Sequence, residues 1–489
     1  MKHYLTIDLG ASSARIIVVN FDNQNKKIFL DEILRFNDYI IKNNKDNLLY
    51  WDINKIFNNI KKGIKESFNK YPDIISIGID SWGVDYAYLD INNKILDNPR
   101  CYRNIEIKKV ISEVYEKIDK FNLYQETGIQ ELYFNTIFQI YYDKKFNPLF
   151  KKANKVLLIP DLIAFLLTGV MKLEVTNLST TSLYNYEKSS FINLNKLEIN
   201  NNIFPDYIYP LEEYGYIKDD LVKELNIKKT KVVAVCSHDT ASAINSINCN
   251  NKTCYLSSGT WSLFGTLLNE KNVSKKAYEF NYTNERGFNN KVRFLKNIMG
   301  LWILNNLKKD FKDDFISNYD MNKKAKDIEI NTYIDPDDKL FENPDSMKDA
   351  IDKFLLQTNQ QLPNNFYEYV KMIYQSLALK YKYNYEILKE ITNINFDKLY
   401  IVGGGSNIDI LNQLTSNYLN IRVYKGAQEA TVLGNSLILL LNNKDIKNME
   451  EGHEIIDNSI DGKVYEPNID INIINNEYKN FLKILEMRK

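Results

Sequence analysis

Asp239 is the residue around which a reaction could be built. It follows Val232 to Cys236 and Ser237-His238, and it precedes Thr240 to Ile244, so that the stretch reads VVAVCSHDTASAI. The first five residues are apolar or small and read as a buried strand. The small residues after Thr240 suit the close-packed start of a helix. A carboxylate where a strand ends and a helix begins lies at the carboxyl edge of a sheet, where open α/β sheets bind ligands. The same position also suits a plain helix N-cap, a role in which Asp is among the best residues.

A second chemical group opens the chain. His3 to Phe21 reads HYLTIDLGASSARIIVVNF, two apolar strands around Gly10-Ala11-Ser12-Ser13. A hairpin turn of small residues leaves backbone N–H groups uncovered, and such a nest attracts anions. Asp8 points off the end of the first strand into the same space, and Arg15 begins the return strand. Thr253 to Leu267, TCYLSSGTWSLFGTL, repeats the design with Thr260 in its turn. One such turn is an ordinary hairpin. Two of them, half a chain apart and with Asp239 just before the second, suggest two domains of related design with a ligand between them.

The elements that must carry these groups follow from periodicity. Lys55 to Lys70 is a helix with Ile56, Ile60 and Ile64 on one face. Ile74 to Asp90 reads as strand, turn at Asp80 to Gly83, and strand. Trp82 and Gly83 suit a sugar, by an aromatic face and a close backbone approach, or else a packed Trp beside a turn glycine. Leu157 to Gly169 is a helix begun by Pro160-Asp161 and ended by Gly169. Tyr186 to Asn202 reads as an exposed loop, and Lys308 to Asn365 as the place for surface insertions. Phe294 to Asn305 reads as an apolar helix with Lys296 and Asn297 near its start. Phe366 to Ile391 is a long amphipathic helix. Leu399 to Val402 is a strand leading into Gly403-Gly404-Gly405, three glycines that let a ligand lie against the backbone before the helix Ile408 to Tyr418. Ile421 to Lys425 is a strand. Ala430 to Leu440 is a helix in which Gly434 allows close approach.

Composition narrows the class. The 489 residues allow two sizeable domains. Lys plus Arg and Asp plus Glu number 63 each, so no basic excess marks a nucleic-acid or anionic-membrane surface. Four cysteines without a C-x-x-C pair and three histidines argue against zinc. No apolar run approaches the ~18 residues of a membrane span. The chain enters a strand within three residues, which leaves no room for a signal peptide. The expectation is a cytoplasmic protein with reduced thiols.

Taken together, these segments resemble the rhamnulokinase family of carbohydrate kinases, within the sugar-kinase/actin/heat-shock-ATPase superfamily. The motifs that carry the resemblance are DLGASSAR at Asp8 to Arg15, IGIDSWGVD at Ile77 to Asp85, IPD at Ile159 to Asp161 and TNLSTT at Thr176 to Thr181. They continue with HDTASA at His238 to Ala243, YLSSGTWSL at Tyr255 to Leu263, LKNIMGLW at Leu295 to Trp302, IVGGG at Ile401 to Gly405 and ILNQL at Ile410 to Leu414. The resemblance implies an α/β fold of two ribonuclease-H-like (actin-like ATPase) domains with mixed sheets and a ligand cleft between them. Residues 1–245 would form the sugar-binding domain and 246–489 the nucleotide-binding domain. It implies transfer of the ATP γ-phosphoryl to the 1-hydroxyl of L-rhamnulose by a monomer.

Carried over by position, Asp239 would be the general base and Asp8 the Mg²⁺ residue. Ala11, Ser12, Ser13, Ala14 and Arg15, with Thr260, would cradle the phosphates, and Asn305 and Gly404 would flank the nucleotide. Gly83, His238, Asp239, Thr240 and Asn297 would line the sugar pocket, with His238 alternatively a satisfied core histidine. Three positions depart from the family pattern. Ala14 replaces a glycine, and its place at the start of a strand predicts tolerance. Asn305 is a shorter amide than the family's glutamine. Asn104, after Tyr102-Arg103, stands in place of an Asp. The competing readings are a kinase for another ketose, such as L-fuculose or L-xylulose, and a non-catalytic ATP-binding clamp, which would need no base beside a sugar pocket.

Overall fold

The computed structural model describes residues 1–43, 46–250, 252–311 and 317–488. Their contacts divide them into two units: residues 1–248, 268–294 and 430–460, and residues 249–267, 295–429 and 461–489. The first unit thus runs past residue 245 and takes in two later segments.

The first unit is built on a six-stranded sheet in the order Glu213–Tyr216, Lys231–Val233, Ser76–Ser81, Lys2–Leu9, Ala14–Asp22 and Lys27–Phe36. The Lys2–Leu9 strand pairs antiparallel with Ala14–Asp22 and parallel with Ser76–Ser81, which in turn runs parallel to Lys231–Val233. Three parallel strands therefore end at one edge of the sheet. Asp8 and Asp80 face each other in register at that edge, and the chain leaving Val233 reaches Asp239 from the same side. Both faces of these strands are covered: Leu5, Ile7, Ile16, Val18, Ile77 and Val232 are buried on one, and Tyr4, Ile17, Val19 and Val233 on the other. That explains why the strands read as near-continuous apolar runs.

Helix Ile53–Lys70 lies on this core through Ile56, Ile60 and Ile64, as their spacing predicts, and is capped by Asp52, whose carboxylate accepts from the Lys55 N–H. Helix Ile159–Thr168 ends at Gly169, which takes the left-handed φ of 80° required there. Helix Ala430–Asn442 joins the first unit because it packs on the Lys2–Leu9 and Ser76–Ser81 strands and on helix Asp239–Asn245. Gly434 makes the last contact possible. A Cβ there would stand 1.7 Å from the Ser242 carbonyl oxygen. Gly434→Ala must therefore push backbone away from the helix that carries Asp239, and is expected to cost about 1–3 kcal/mol or more, read as a lower denaturation midpoint.

The second unit has its own mixed sheet. Thr253–Ser258 and Trp261–Leu268 form an antiparallel hairpin, Lys398–Val402 runs parallel to the first of these, Arg422–Lys425 parallel to that, and Lys463–Tyr465 closes antiparallel. The long helix Phe366–Thr392 and helix Asp409–Leu419 belong to this unit and pack on one another.

Several expectations need correction. Phe294 to Asn305 is not one helix: Val292–Met299 is a strand, and the helix is Trp302–Asp310. Phe294 and Ile298 are buried on one side of the strand and Leu295 and Met299 on the other, and apolar residues covered on both sides have no period to separate strand from helix. The strand before Asp239 stops at Val233 rather than Cys236, and the Ser237 N–H beyond it goes to the Glu174 carboxylate. Asp80 and Ser81 complete a strand and are not in the turn. The stretch Tyr186 to Asn202 is anchored by buried Ile192, Leu194, Leu197 and Ile199, so it is not simply an exposed loop. Lys308 to Asn365 holds helices Asn318–Lys326 and Met347–Gln357, the latter burying Ile351, Phe354 and Leu355; residues 312–316 lie outside the described ones. No helix among the described residues is long and apolar enough to cross a membrane.

Candidate active site

Asp239 is the first residue of helix Asp239–Asn245, with His238 in the N-cap position. The carboxylate does not cap in the usual way: Oδ1 accepts from the neighbouring Thr240 N–H and Oγ1–H at 2.5 and 3.0 Å. One third of the side chain remains exposed, in a neighbourhood that is otherwise buried. Burial and the charge of Asp8 push its pKa up to about 6, against the pull of Thr240 and Arg293. A carboxylate with these properties is an acceptor suited to a hydroxyl proton near neutral pH.

Asp8 and Asp80 complete an acidic edge. Asp8 is almost wholly buried and is ion-paired with Arg15 across the hairpin, where the two are direct partners in register. Asp80 is fully buried; its Oδ2 accepts from Asn435 Nδ2 at 2.6 Å and its Oδ1 has no partner. Burial, then the charges of Asp8 and Asp239, hold it well above the usual carboxylate range. Asp80 was not singled out from the sequence, although its place at the end of an apolar strand offered the signal.

The turn after Asp8 is tight. The Gly10 N–H donates to the Ser13 carbonyl, and a Cβ on Gly10 would meet that oxygen at 2.7 Å. Ser12 is exposed, and the Ser13 Oγ is buried without a partner. Ala14 opens the Ala14–Asp22 strand and has no positive φ, so it serves where the family pattern has glycine. Arg103 grips the turn from behind, its Nη2 donating to the Ala11 carbonyl at 3.1 Å and lying 3.4 Å from Ser12 Oγ. Asn104 is occupied by backbone: it accepts from the Leu49 N–H and donates to the Leu49 and Cys101 carbonyls, each at 2.8 Å. Those bonds direct its amide away from any ligand.

Gly83 comes against His238 and Thr180. A Cβ on Gly83 would stand 2.9 Å from Thr180 Oγ1 and 3.3 Å from His238 Nε2. The next residue, Val84, has φ 68°, a strained value for a β-branched residue. Its carbonyl is held by Thr136 Oγ1 and Gln139 Nε2. Trp82 offers no face to a ligand. It is buried against Trp51, ring centroids 4.1 Å apart, and its Nε1–H donates to Asp85. Asp85 also accepts from Trp51 Nε1, the Tyr102 N–H and Gln139 Nε2, and burial raises its pKa to about 7.

What holds the His238–Asp239 segment is Glu174, a completely buried residue that no motif or spacing marks. Its carboxylate accepts from the N–H and Oγ1–H of Thr176, the N–H of Asn177, and the N–H and Oγ–H of Ser237. The Ser237 carbonyl then accepts from the Ser81 N–H at 2.8 Å, which ties the segment to the strand of Asp80.

In the second unit the structure brings together two of the expected nucleotide residues. The Thr260 carbonyl accepts from the N–H groups of Gly300 and Trp302, at 3.1 and 3.3 Å. Gly403, with φ 81°, and Gly405 press on Ser258: Cβ atoms there would meet the Ser258 carbonyl at 2.9 Å and its Oγ at 1.9 Å. Gly404 between them is open. Thr260 and Gly404 therefore border the same end of the Thr253–Ser258 strand. Asn305 is exposed in helix Trp302–Asp310, and Asn297 lies half-buried in the Val292–Met299 strand.

Residues 3–245 match the N-terminal domain, and residues 254–441 the C-terminal domain, of the FGGY family of carbohydrate kinases. The chain belongs to the FGGY family of carbohydrate kinases. Among curated FGGY relatives, the rhamnulokinase of Ligilactobacillus salivarius is 37% identical over 472 residues, covering 96% of each chain. The rhamnulokinase of Bacillus subtilis is 34% identical and covers 95% of each. Among solved FGGY structures, xylulose kinase from Lactobacillus acidophilus superposes with a TM-score of 0.82 at 18% identity, covering 100% of this chain and 98% of that one. Plasmodium falciparum glycerol kinase with ADP gives 0.77 at 17%, covering 100% and 98%. These likenesses establish the two-domain α/β fold with mixed sheets of FGGY kinases, and the chain is a sugar kinase.

The raised pKa of Asp239 sets a pH dependence. A carboxyl that accepts a proton must first be deprotonated, and burial and Asp8 push the Asp239 carboxyl up to about 6 from its usual value. Turnover is expected to fall as pH drops through about 6. Carbon-13 NMR titration of the ligand-free chain should show the Asp239 carboxyl titrating there; a midpoint near 4 would contradict it.

Proposed function

We propose that this chain transfers the ATP γ-phosphoryl to the 1-hydroxyl of L-rhamnulose, giving L-rhamnulose 1-phosphate and ADP. The observation that carries the chemistry is the part-exposed Asp239 carboxylate, held beside His238 and Gly83 and within the electrostatic reach of Asp8. The choice of ketose is supported by near-full-length relatives named rhamnulokinase.

Asp239 takes the proton of the sugar hydroxyl as the oxygen attacks phosphorus. His238, Gly83, Thr240 and Asn297 orient the ketose. Ala11, Ser12, Ser13, Ala14 and Arg15, with Thr260, cradle the phosphates, and Asn305 and Gly404 flank the nucleotide. The sugar contacts then come mainly from residues 1–245 and the nucleotide-flanking ones from 246–489. The oxygen donors at the acidic edge, with Asp80 Oδ1 left unpartnered, fit a hard cation. Asp8 would hold Mg²⁺ there through water, since Mg²⁺ sheds its hydration shell reluctantly. Once bound, the ion neutralises charge on the transferring phosphoryl group. The protein works as a cytoplasmic monomer on small molecules.

An ADP-release assay across L-rhamnulose, L-fuculose and L-xylulose tests the reading. L-Rhamnulose should give the highest kcat/KM. Another ketose in first place would move the specificity, and ATP binding without sugar-dependent ADP release would return the molecule to a non-catalytic clamp.

A further inference from the structure

Behind His238 lies an ion pair that the phosphoryl-transfer chemistry does not use. Arg293 is completely buried, and its Nη2 stands 2.9 Å from Glu285 Oε2 and 2.9 Å from His238 Nδ1. Its Nε–H donates to the Arg286 carbonyl at 3.2 Å. Glu285 is itself buried and lies 3.5 Å from the same Nδ1. The other ring nitrogen, Nε2, faces the opposite way: it is 3.5 Å from Asp239 Oδ1 and 3.3 Å from where a Cβ on Gly83 would be.

We propose that Arg293 is a positioning residue that fixes the tautomer of His238, holding the single ring proton on Nε2, the nitrogen turned toward Gly83 and Asp239. The argument is one of donor and acceptor capacity. A guanidinium only donates and keeps its charge at any working pH, so the nitrogen it touches must accept. A neutral imidazole has one N–H, and with Nδ1 accepting, that N–H is on Nε2. An imidazolium would set Nδ1–H against an arginine N–H and a second positive charge beside the first. Burial together with the Arg293 charge accordingly holds the His238 pKa well below its usual value. Glu285 supplies the negative charge that lets Arg293 be buried. It also defines what happens without Arg293, because its carboxylate would then draw a proton onto Nδ1. The lone pair of Nε2 would turn toward the Asp239 carboxylate, and the donor to a sugar hydroxyl would be lost. This last step rests on the reading of His238 as a sugar contact.

The test is two-bond nitrogen-15 NMR of the full chain, which has only three histidines, His3, His238 and His453. The His238 signals are assigned by their loss in His238→Gln. The expected wild-type pattern is a protonated Nε2 and a bare Nδ1 between about pH 6 and 8. A protonated Nδ1 or an imidazolium in that range overturns the proposal, whatever the activity. Arg293→Lys keeps a cationic donor and should keep the pattern. Arg293→Met should move the proton to Nδ1, and Arg293→Met with Glu285→Gln, which leaves no unpaired buried charge, should lose the fixed pattern. Retention of the wild-type pattern in either Met variant overturns the role of Arg293. KM for L-rhamnulose should rise about tenfold in the double variant, as for one lost hydrogen bond, with a smaller change in kcat. A fixed tautomer in the wild type, lost in the double variant while KM stays unchanged, would leave the proposal standing and remove His238 from the sugar site.

Discussion

Asp239→Asn is expected to lower kcat by about 10²–10⁴ while ADP binding stays within a factor of about two. The substitution keeps the size of the side chain and its contact with Thr240, but an amide cannot accept a proton at neutral pH. Phosphoryl transfer passes through a loose transition state in which most of the catalysis is positioning and neutralisation of charge. The base therefore contributes one part of the acceleration, and the turn, Arg15 and the nucleotide-side residues keep theirs. Single-turnover kinetics with saturating ketose and ATP, next to a calorimetric titration of ADP, separate the two effects. A kcat within about threefold of wild type would show that Asp239 is not the base. The accompanying pH profile sharpens the result, because the acid limb near pH 6 should vanish with the carboxyl that causes it.

The second large effect belongs to Glu174. Replacing it with Gln changes almost no volume, yet it puts an amide N–H₂ or a neutral oxygen where a carboxylate now accepts from Thr176, Asn177 and Ser237. Burial raises the pKa of Glu174 and the five hydrogen bonds pull against that rise. At least one buried donor would be left facing another. The expected cost is about 3 kcal/mol of unfolding free energy, since hydrogen bonds to charged groups are each worth about 1.5–3 kcal/mol and an unsatisfied buried group adds its desolvation penalty. Ser237 precedes His238 and Asp239, so kcat/KM should also fall about tenfold or more even where the variant stays folded. Urea unfolding and steady-state kinetics on the same preparation check both. A change of less than about 0.5 kcal/mol would mean that the segment is held by its backbone alone.

Much of the fold was legible in the chain. The Lys2–Leu9 and Ala14–Asp22 hairpin, the helix with Ile56, Ile60 and Ile64 inside, the Gly169 stop, the Gly403–Gly405 loop and the close approach at Gly434 all appear where the residues imply them. Each is a local rule: periodicity, a glycine that a left-handed turn or a contact requires, a small turn between apolar strands. The errors fall where local rules conflict or are silent. Phe294, Leu295, Ile298 and Met299 carry no period because both sides of their strand are covered. Trp82 suits a sugar or a packed ring equally by local rules, and the structure has it packed on Trp51 with its Nε1–H donating to Asp85.

The sequence by itself determined the edge chemistry: a carboxylate after a strand, a small-residue turn beside a second carboxylate, and motifs in an order that marks a sugar kinase. Only the tertiary structure decided what those groups are worth. Glu174 grips Ser237 from 63 residues away, and Arg293 fixes His238 from 55. The Asp80 pKa is raised by its burial and then by the charge of Asp8, set beside it because two strands run parallel in register. Protonation, tautomer and hydrogen-bond capacity depend on burial and on charges brought within a few ångströms, and no spacing along the chain encodes that distance.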